Sequence, residues 1–547
     1  MSRVFVLGVD GGTFDIVRPW ALKGELPTFK KLIDSGISGD LESTIPPLTG
    51  PAWISFATGK NPGKHGCFDF MKRKKDSYER EPIKLKDFRK YSIWNLLSKA
   101  NKRTCAINVP VTYPPQTVNG YIISGVMTPS MDSEFTYPHS LKQEIIDKFS
   151  GYRITAESTY QPGKEEDIIK ELQNVTKNRT KLIKYMYEKE DFDFFMAVYG
   201  CSDFMSHWFW HHMDKNHPLH DPIKSKKWEN AILEYYKLLD KQLNEILSIL
   251  KKDTTFFIIS DHGFGPYEKG VYINSWLIDK GYLKLKSNLS TKFKYFLHKK
   301  GLNLDNMYNL ILKTGILNTS LFNKLGFSNA MSKESERART KILKFLSFLF
   351  LLSFKDVDWK KTKAYSIGNY GQIYLNIKGR EPEGIIKKEN YNKVRNKLIS
   401  DLKTIIDPKT NKHIDIEVLK KEEIYNGPHT ENAPDLFFIM NNFKYIAARY
   451  FEFGSSKLFG PPHRNLSGCH RRNGMFLASN SNIKKGIKNA SIIDITPTIL
   501  HILKVPIPID IDGKILTDIF LKDSKFNRKP VYEKSKDESS IIHKINI

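Results

Sequence analysis

The chain has 547 residues, 40% apolar and 27% charged, and its 86 Lys+Arg against 60 Asp+Glu leave a net charge of +26. That is more chain than one average domain uses. Its globular composition excludes a disordered polymer, a fibrous repeat and a disulfide scaffold. The basic excess has two readings, an anionic partner (nucleotide, nucleic acid or acidic membrane) or a solvated basic surface, and the second is preferred. Cys67, Cys105, Cys201 and Cys469 are scattered, with no CxxC pair, which reads as reduced thiols.

The first apolar run, Val4-Phe5-Val6-Leu7, stops at Gly8. It is shorter than the roughly 7–15 residues of a signal peptide and reads as a buried strand. The longest later run, 345–354, is half of the roughly twenty residues a spanning helix needs. A cytoplasmic location is therefore expected. Further strands are predicted over 103–109, 120–123, 192–198 and 254–259. Between the last two, Ile232, Tyr236, Leu239, Leu243, Ile246 and Leu250 recur at steps of three and four and predict one long amphipathic helix. Strand-like text returns at 372–377 and 435–440, and a helix is expected over 493–503. This alternation predicts an α/β fold with a mostly parallel central sheet flanked by helices. The expected division is a first part of the catalytic core (1–282), a helical insertion (283–355), a second part of the core (356–521) and a charged, mobile tail (522–547). The insertion mixes lysines with apolar residues and reads as a lid or a docking surface, with an acidic membrane as one partner.

In parallel sheets, ligands bind beyond the carboxyl ends of the strands. Three polar stretches directly follow strands: Gly8-Val9-Asp10-Gly11-Gly12-Thr13, Tyr199-Gly200-Cys201-Ser202-Asp203 running on to His207, and Ser260-Asp261-His262-Gly263. A fourth is Ser467-Gly468-Cys469-His470-Arg471. Asp203 and His207, four apart, share one face of a helix. Taken singly, each has a structural explanation: an N-cap for an Asp, a packed ring for a His. Taken together they offer three carboxylates and three imidazoles, enough for two four-coordinate ions once substrate or nucleophile oxygens join, with His463 and His470 competing for the last place.

In this order these motifs resemble the alkaline phosphatase superfamily, above all its type I phosphodiesterase/nucleotide pyrophosphatase branch and the related predicted phosphohydrolases and phosphomutases. The segment from Thr44 to Gly66 is similar to the family's nucleophile segment, with Thr49 two residues before Pro51, then Thr58-Gly59, Pro62 and His65-Gly66. Asp203-x-x-x-His207, Asp261-His262-Gly263, and Asp494 to Pro497 followed by Asp512-Gly513 match in the same order. The resemblance implies an alkaline phosphatase-like fold with a helical insertion and a hydrolase that cleaves phosphodiester, pyrophosphate or monoester bonds through a phosphothreonine at Thr49. It implies two divalent ions, Zn2+ first and Mn2+ second: one on Asp10, Asp261, His262 and Thr49, the other on Asp203, His207 and His470. The resemblance favours His470 over His463, because the family's last ligand precedes a short loop into a strand, as His470-Arg471-Arg472-Asn473-Gly474 does here. The implied partner is a phosphate-ester small molecule or nucleotide, with no specific nucleic acid.

Three carboxylates and one alkoxide cancel two dications, which suits a singly charged diester at least as well as a dianionic monoester. A monoesterase would call for an additional cation, for which Lys60 and Lys64 are candidates. The branch often has an Asn shortly after His-Gly; here the text is Cys67-Phe68-Asp69-Phe70. Two other readings remain. One is a phosphomutase or phosphotransferase of the same superfamily. The more remote one is an actin-like ATP-dependent sugar kinase, suggested by Gly8 to Thr13, or a catalytically inactive binding protein.

Overall fold

The computed structural model describes residues 2–83, 88–303, 306, 350–447, 452–463 and 466–534. Its centre is strand β1 (Arg3–Val9), every residue of which is apolar after Arg3 except Gly8. Successive side chains point to opposite faces, so a strand covered on both faces reads as continuously apolar. Phe5, Leu7 and Val9 enter one core, and Val4 and Val6 enter the other.

In chain order the sheet continues with β2 (Ile37–Glu42), β3 (Thr104–Val109), β4 (Gly120–Ser124), β5 (Thr136–Tyr137), β6 (Phe194–Tyr199), β7 (Thr254–Ile259) and β8 (Asn473–Ser479). Its spatial order is β2-β8-β7-β1-β6-β3-β4-β5, with Gly486–Ile487 and Ala490–Ser491 beside β2. The run β7-β1-β6-β3-β4 is parallel throughout, and β8 inserts antiparallel between β7 and β2. The fold is the expected α/β architecture, a mostly parallel central sheet with helices on both faces.

Helix α1 (Thr49–Thr58) and helix α5 (Ile495–Ile502) pack on the face of Val4 and Val6. On the other face lie α2 (Glu165–Lys189), α3 (Cys201–Met213) and α4 (Ala231–Ile249). The buried stripe of α4 holds Ile232, Tyr236, Leu239, Leu243 and Ile246, as the periodicity predicts. Asp240 on that helix is buried and accepts the Thr28 and Phe29 N–H groups at 3.1 and 2.8 Å, a carboxylate at the positive end of helix Pro27–Ser35.

Strands Gln372–Leu375 and Leu436–Met440 do form, but not in the central sheet. They belong to a separate seven-stranded sheet with Ala364–Ser366, Ile416–Lys420, Tyr445–Ile446, Lys269–Val271 and Phe459–Gly460. That sheet has its own core, around Ile373, Leu375, Leu436 and Phe438. Apolar pattern marks a strand; it carries no information about which sheet receives it. Of the insertion, helix Leu289–Lys299 and the turn Phe354–Asp356 are described, and 307–349 lie outside the described residues. Within the tail, Phe526 is buried in the central core and Tyr532–Glu533 pairs with Ile507–Pro508, while most side chains of 522–534 are exposed. Residues 535–547 lie outside the described residues.

Candidate metal centre

Asp10 follows β1, Asp203 and His207 ride on α3 directly after β6, and Asp261 and His262 follow β7. Three adjacent parallel strands thus deliver five polar side chains to one end of the sheet. Thr49 is the first residue of α1. Pro51 falls in the first turn of this helix, where the N–H that proline lacks has no intrahelical partner to lose. His470 sits on strand Gly468–Arg471, whose partner is the strand Gly263–Pro266, with Phe264 opposite His470. A Cβ on Gly468 would stand 2.2 Å from the Ser206 carbonyl oxygen, so only glycine lets this strand lie so close on α3.

All seven predicted residues converge. Ligand-type atoms of Asp10, Asp261 and His262 lie within 4.8 Å of one another, and so do those of Asp203, His262 and His470. His207 Nε2 is 3.5 Å from Asp203 Oδ1 and 3.0 Å from His470 Nε2. The His262 and His470 rings stack at 3.5 Å. Thr49 Oγ1 is 3.3 Å from His262 Nε2. His463 packs elsewhere, against the rings of Tyr267 and Tyr272.

Each imidazole is held by its Nδ1, which faces a backbone carbonyl: Gly468 for His207 at 2.8 Å, Gly263 for His262 at 3.1 Å and Pro47 for His470 at 2.8 Å. A carbonyl only accepts, so Nδ1 donates and the Nε2 lone pair is left facing the cluster. Asp10 Oδ1, Asp203 Oδ1 and Asp261 Oδ2 are buried there with no hydrogen-bond donor. Six acceptors therefore meet, and the Thr49 hydroxyl is the donor beside them. Such a set is satisfied by cations, and its oxygen and nitrogen donors fit divalent metal ions.

The electrostatics agree. Burial, reinforced by Asp203, pushes the Asp261 carboxyl up to about 8. Burial together with Asp261 and Asp203 raises Asp10 well above the ordinary carboxylate range. Asp203 is also buried, but His207, His470 and His262 around it outweigh that and hold it below the usual range. Burial depresses His207 and His262. Three carboxylates crowded away from water are a charge arrangement that lacks its counter-charge.

Supporting residues went unmarked in the sequence. Trp53 Nε1 donates to Asp10 Oδ2 at 3.2 Å, which leaves Oδ1 turned to the cluster. Its place four residues after Thr49, on the same helical face, is the signal that could have found it. Ser202 Oγ donates to the Asp10 carbonyl at 2.7 Å, Ser260 Oγ to the His262 carbonyl at 2.6 Å, and Ser43 Oγ to the Asp261 carbonyl. Gly11, at φ +67°, gives its N–H to Asp261 Oδ1 at 3.2 Å.

Other hydroxyls near Thr49 are otherwise engaged. Thr58 bonds the Ile54 carbonyl at 2.8 Å and Thr44 the Pro46 carbonyl at 2.8 Å. Ser55 meets His65 Nε2 at 2.8 Å. Lys60 and Lys64, the candidate phosphate cations, are each paired with a carboxylate: Lys60 with Asp510 and Lys64 with Asp512 at 2.6 Å. Asp69, where the branch often has Asn nearby, pairs with Arg80 at 3.2 Å and accepts from Gln372 at 3.2 Å.

Residues 4–452 match the family described as type I phosphodiesterase / nucleotide pyrophosphatase. The chain belongs to this family, within the alkaline phosphatase superfamily. No curated protein matches it. Among solved structures it resembles phosphonoacetate hydrolase from Sinorhizobium meliloti, in complex with phosphonoformate, at 13% identity and a TM-score of 0.51, over 92% of this chain and 95% of that one. Murine ectonucleotide pyrophosphatase/phosphodiesterase 5 in complex with AMP is similar at 13% identity and a TM-score of 0.46, over 92% and 96%. At such identity the first likeness speaks to fold. Family membership places the chain among phosphodiesterase- and pyrophosphatase-type hydrolases, and its acidic and histidine groups are positioned for a metal site.

Proposed function

We propose that the chain is a two-metal phosphohydrolase that cleaves phosphodiester or pyrophosphate bonds in a nucleotide or another small phosphate ester, with Thr49 as nucleophile. The observation that carries this reading is the meeting of six acceptor atoms around a single donor, the Thr49 hydroxyl. Asp10, Asp261, His262 and Thr49 would hold one ion, and Asp203, His207 and His470 the other. Divalent ions bound there, Zn2+ by preference and Mn2+ second, supply Lewis acidity at the phosphoryl group and favour the ionised hydroxyl.

The chain's own residues do the rest. Thr49 Oγ attacks phosphorus, the bond from phosphorus to the leaving oxygen breaks, and the leaving group departs with a proton. Water then cleaves the phosphothreonine and returns a proton to Thr49. The N-terminal amides of α1, a ten-residue helix, favour negative charge where Thr49 stands. Lys60 and Lys64 are turned to Asp510 and Asp512, which supports a singly charged diester over a dianionic monoester.

The test is a comparison of bis-p-nitrophenyl phosphate with p-nitrophenyl phosphate on purified, metal-loaded protein, with elemental analysis. About two ions per chain and faster diester turnover that chelation abolishes are expected. Activity indifferent to chelation would overturn the metal mechanism, and a strong monoester preference would overturn the substrate class.

A further inference from the structure

Helix Leu289–Lys299 has its polar and apolar faces reversed. Thr291, Lys294 and His298, at steps of three and four, are buried at 2%, 3% and 2% exposure. Leu289, Phe293 and Phe296 make the opposite face and are 85%, 51% and 57% exposed. A helix on the surface of a globular domain normally turns its apolar stripe inward.

The orientation is held from beneath. Lys294 Nζ donates to both oxygens of buried Asp356, at 3.0 and 3.3 Å, and Thr291 Oγ1 donates to the same carboxylate at 3.3 Å. Asn288 caps the helix, accepting the Thr291 N–H at 2.8 Å. Tyr295 packs on the core of the second sheet. Rolling the helix to bury its phenylalanines would pull Lys294 off Asp356 and leave a buried charge unpaired, a costly exchange. The outward apolar face is therefore specified by the fold.

Charge says what that face meets. Residues 280–303 contain seven lysines and no Asp or Glu. At 100° per residue, Lys300 projects with the phenylalanines and Lys292 flanks them; both are exposed. Lys299, the next exposed lysine, pairs with Asp279 at 3.2 Å, whereas Lys292 and Lys300 edge a stripe of leucine and phenylalanine, the composition of a helix lying in a lipid headgroup region with lysine stems reaching up to anionic headgroups. No helix among the described residues is long and apolar enough to cross a membrane. We infer that helix Leu289–Lys299 docks the protein, lying flat, on a membrane surface rich in anionic lipid.

The experiment is co-sedimentation of the full chain with vesicles of phosphatidylcholine alone and with about 30% phosphatidylserine, at low and high salt. Binding to the anionic vesicles, weakened by salt, is expected. It should fall about tenfold or more in Phe293→Ser/Phe296→Ser and in Lys292→Glu/Lys300→Glu, with an unchanged melting temperature because these side chains face outward. Equal binding to both vesicle types, or variants that bind like the parent, would overturn the inference. Two other occupants would also overturn it. A parent dimer that the phenylalanine variant dissociates, without vesicle preference, identifies a second copy. A melting temperature lowered by the phenylalanine variant, again without vesicle preference, identifies other residues of this chain.

Discussion

Thr49 and the ligand-type side chains carry the proposed chemistry, so the sharpest tests are single substitutions there. Thr49→Ala should cost about 10³-fold or more in turnover while both ions still bind, because the other ligands remain; Thr49→Ser should keep much more activity. Mass spectrometry of enzyme quenched during turnover should find the phosphoryl group on Thr49, and finding it on Thr44, Ser55 or Thr58 would remove the assignment. Asp261 separates function from stability. Burial and Asp203 make its charge unfavourable in the metal-free chain. Asp261→Asn should therefore raise the melting temperature of metal-free protein and shrink the gain on adding metal. A variant that melts lower without metal, or gains as much from it as the parent, contradicts this account of the cluster.

At the scale of elements, α1 is fastened at both ends. Trp53 ties it to Asp10 at the end of β1. Beyond its last turn, Gly59 accepts the N–H groups of Asp512 and Gly513 at 3.0 Å each, while Lys60 pairs with Asp510. The Lys60 side chain is 5% exposed and its partner 27%. Asp510→Ala leaves a largely buried ammonium without its carboxylate and should cost about 1–3 kcal/mol of stability, read by denaturant titration. KM for a small diester should barely move in this variant and in Lys60→Met. A large rise in KM in Lys60→Met alone would show that Lys60 meets substrate after all.

Over the whole molecule, pH dependence follows from histidines that folding keeps neutral. Burial holds His65 and His211 at about 3 and His212 and His298 at about 4, against 6.5 for an imidazole in water. Between those values the unfolded chain binds more protons, so stability falls as pH drops below 6.5. Asp10 and Asp261, raised by burial, act the opposite way in metal-free protein, since the fold then binds the proton. Burial also lowers His207, His217, His262 and His501 and raises Asp15 and Asp494, so eight histidines against four carboxyls leave a net loss on acidification. The midpoint of urea unfolding for metal-free protein should drop from about pH 6.5 to about pH 5, above the ordinary carboxylate range. An unchanged midpoint over that window would mean that these rings are not kept neutral by the fold.

Much of this was legible in the chain. The apolar runs of β1, β6 and β7 mark buried strands because a strand covered on both faces must be apolar throughout. The polar residues that end them mark the site, since parallel strands deliver their carboxyl ends to one edge. Spacing put Asp203 and His207 on one helical face, and motif order named Thr49 and His470. Other features depended on partners distant in sequence, which no local pattern records. Gln372–Leu375 and Leu436–Met440 read as strands without showing which sheet would take them; they joined a second sheet, because pairing is chosen by neighbours. Lys60 and Lys64 looked like phosphate cations until residues some 450 positions away supplied Asp510 and Asp512. The seat of Phe526 in the central core was not visible in the chain, because the residues around it come from segments distant in sequence. Sequence determined which residues must be buried and which carry chemistry; tertiary structure decided which of them meet, because contact energy is earned between segments that only the folded chain brings together.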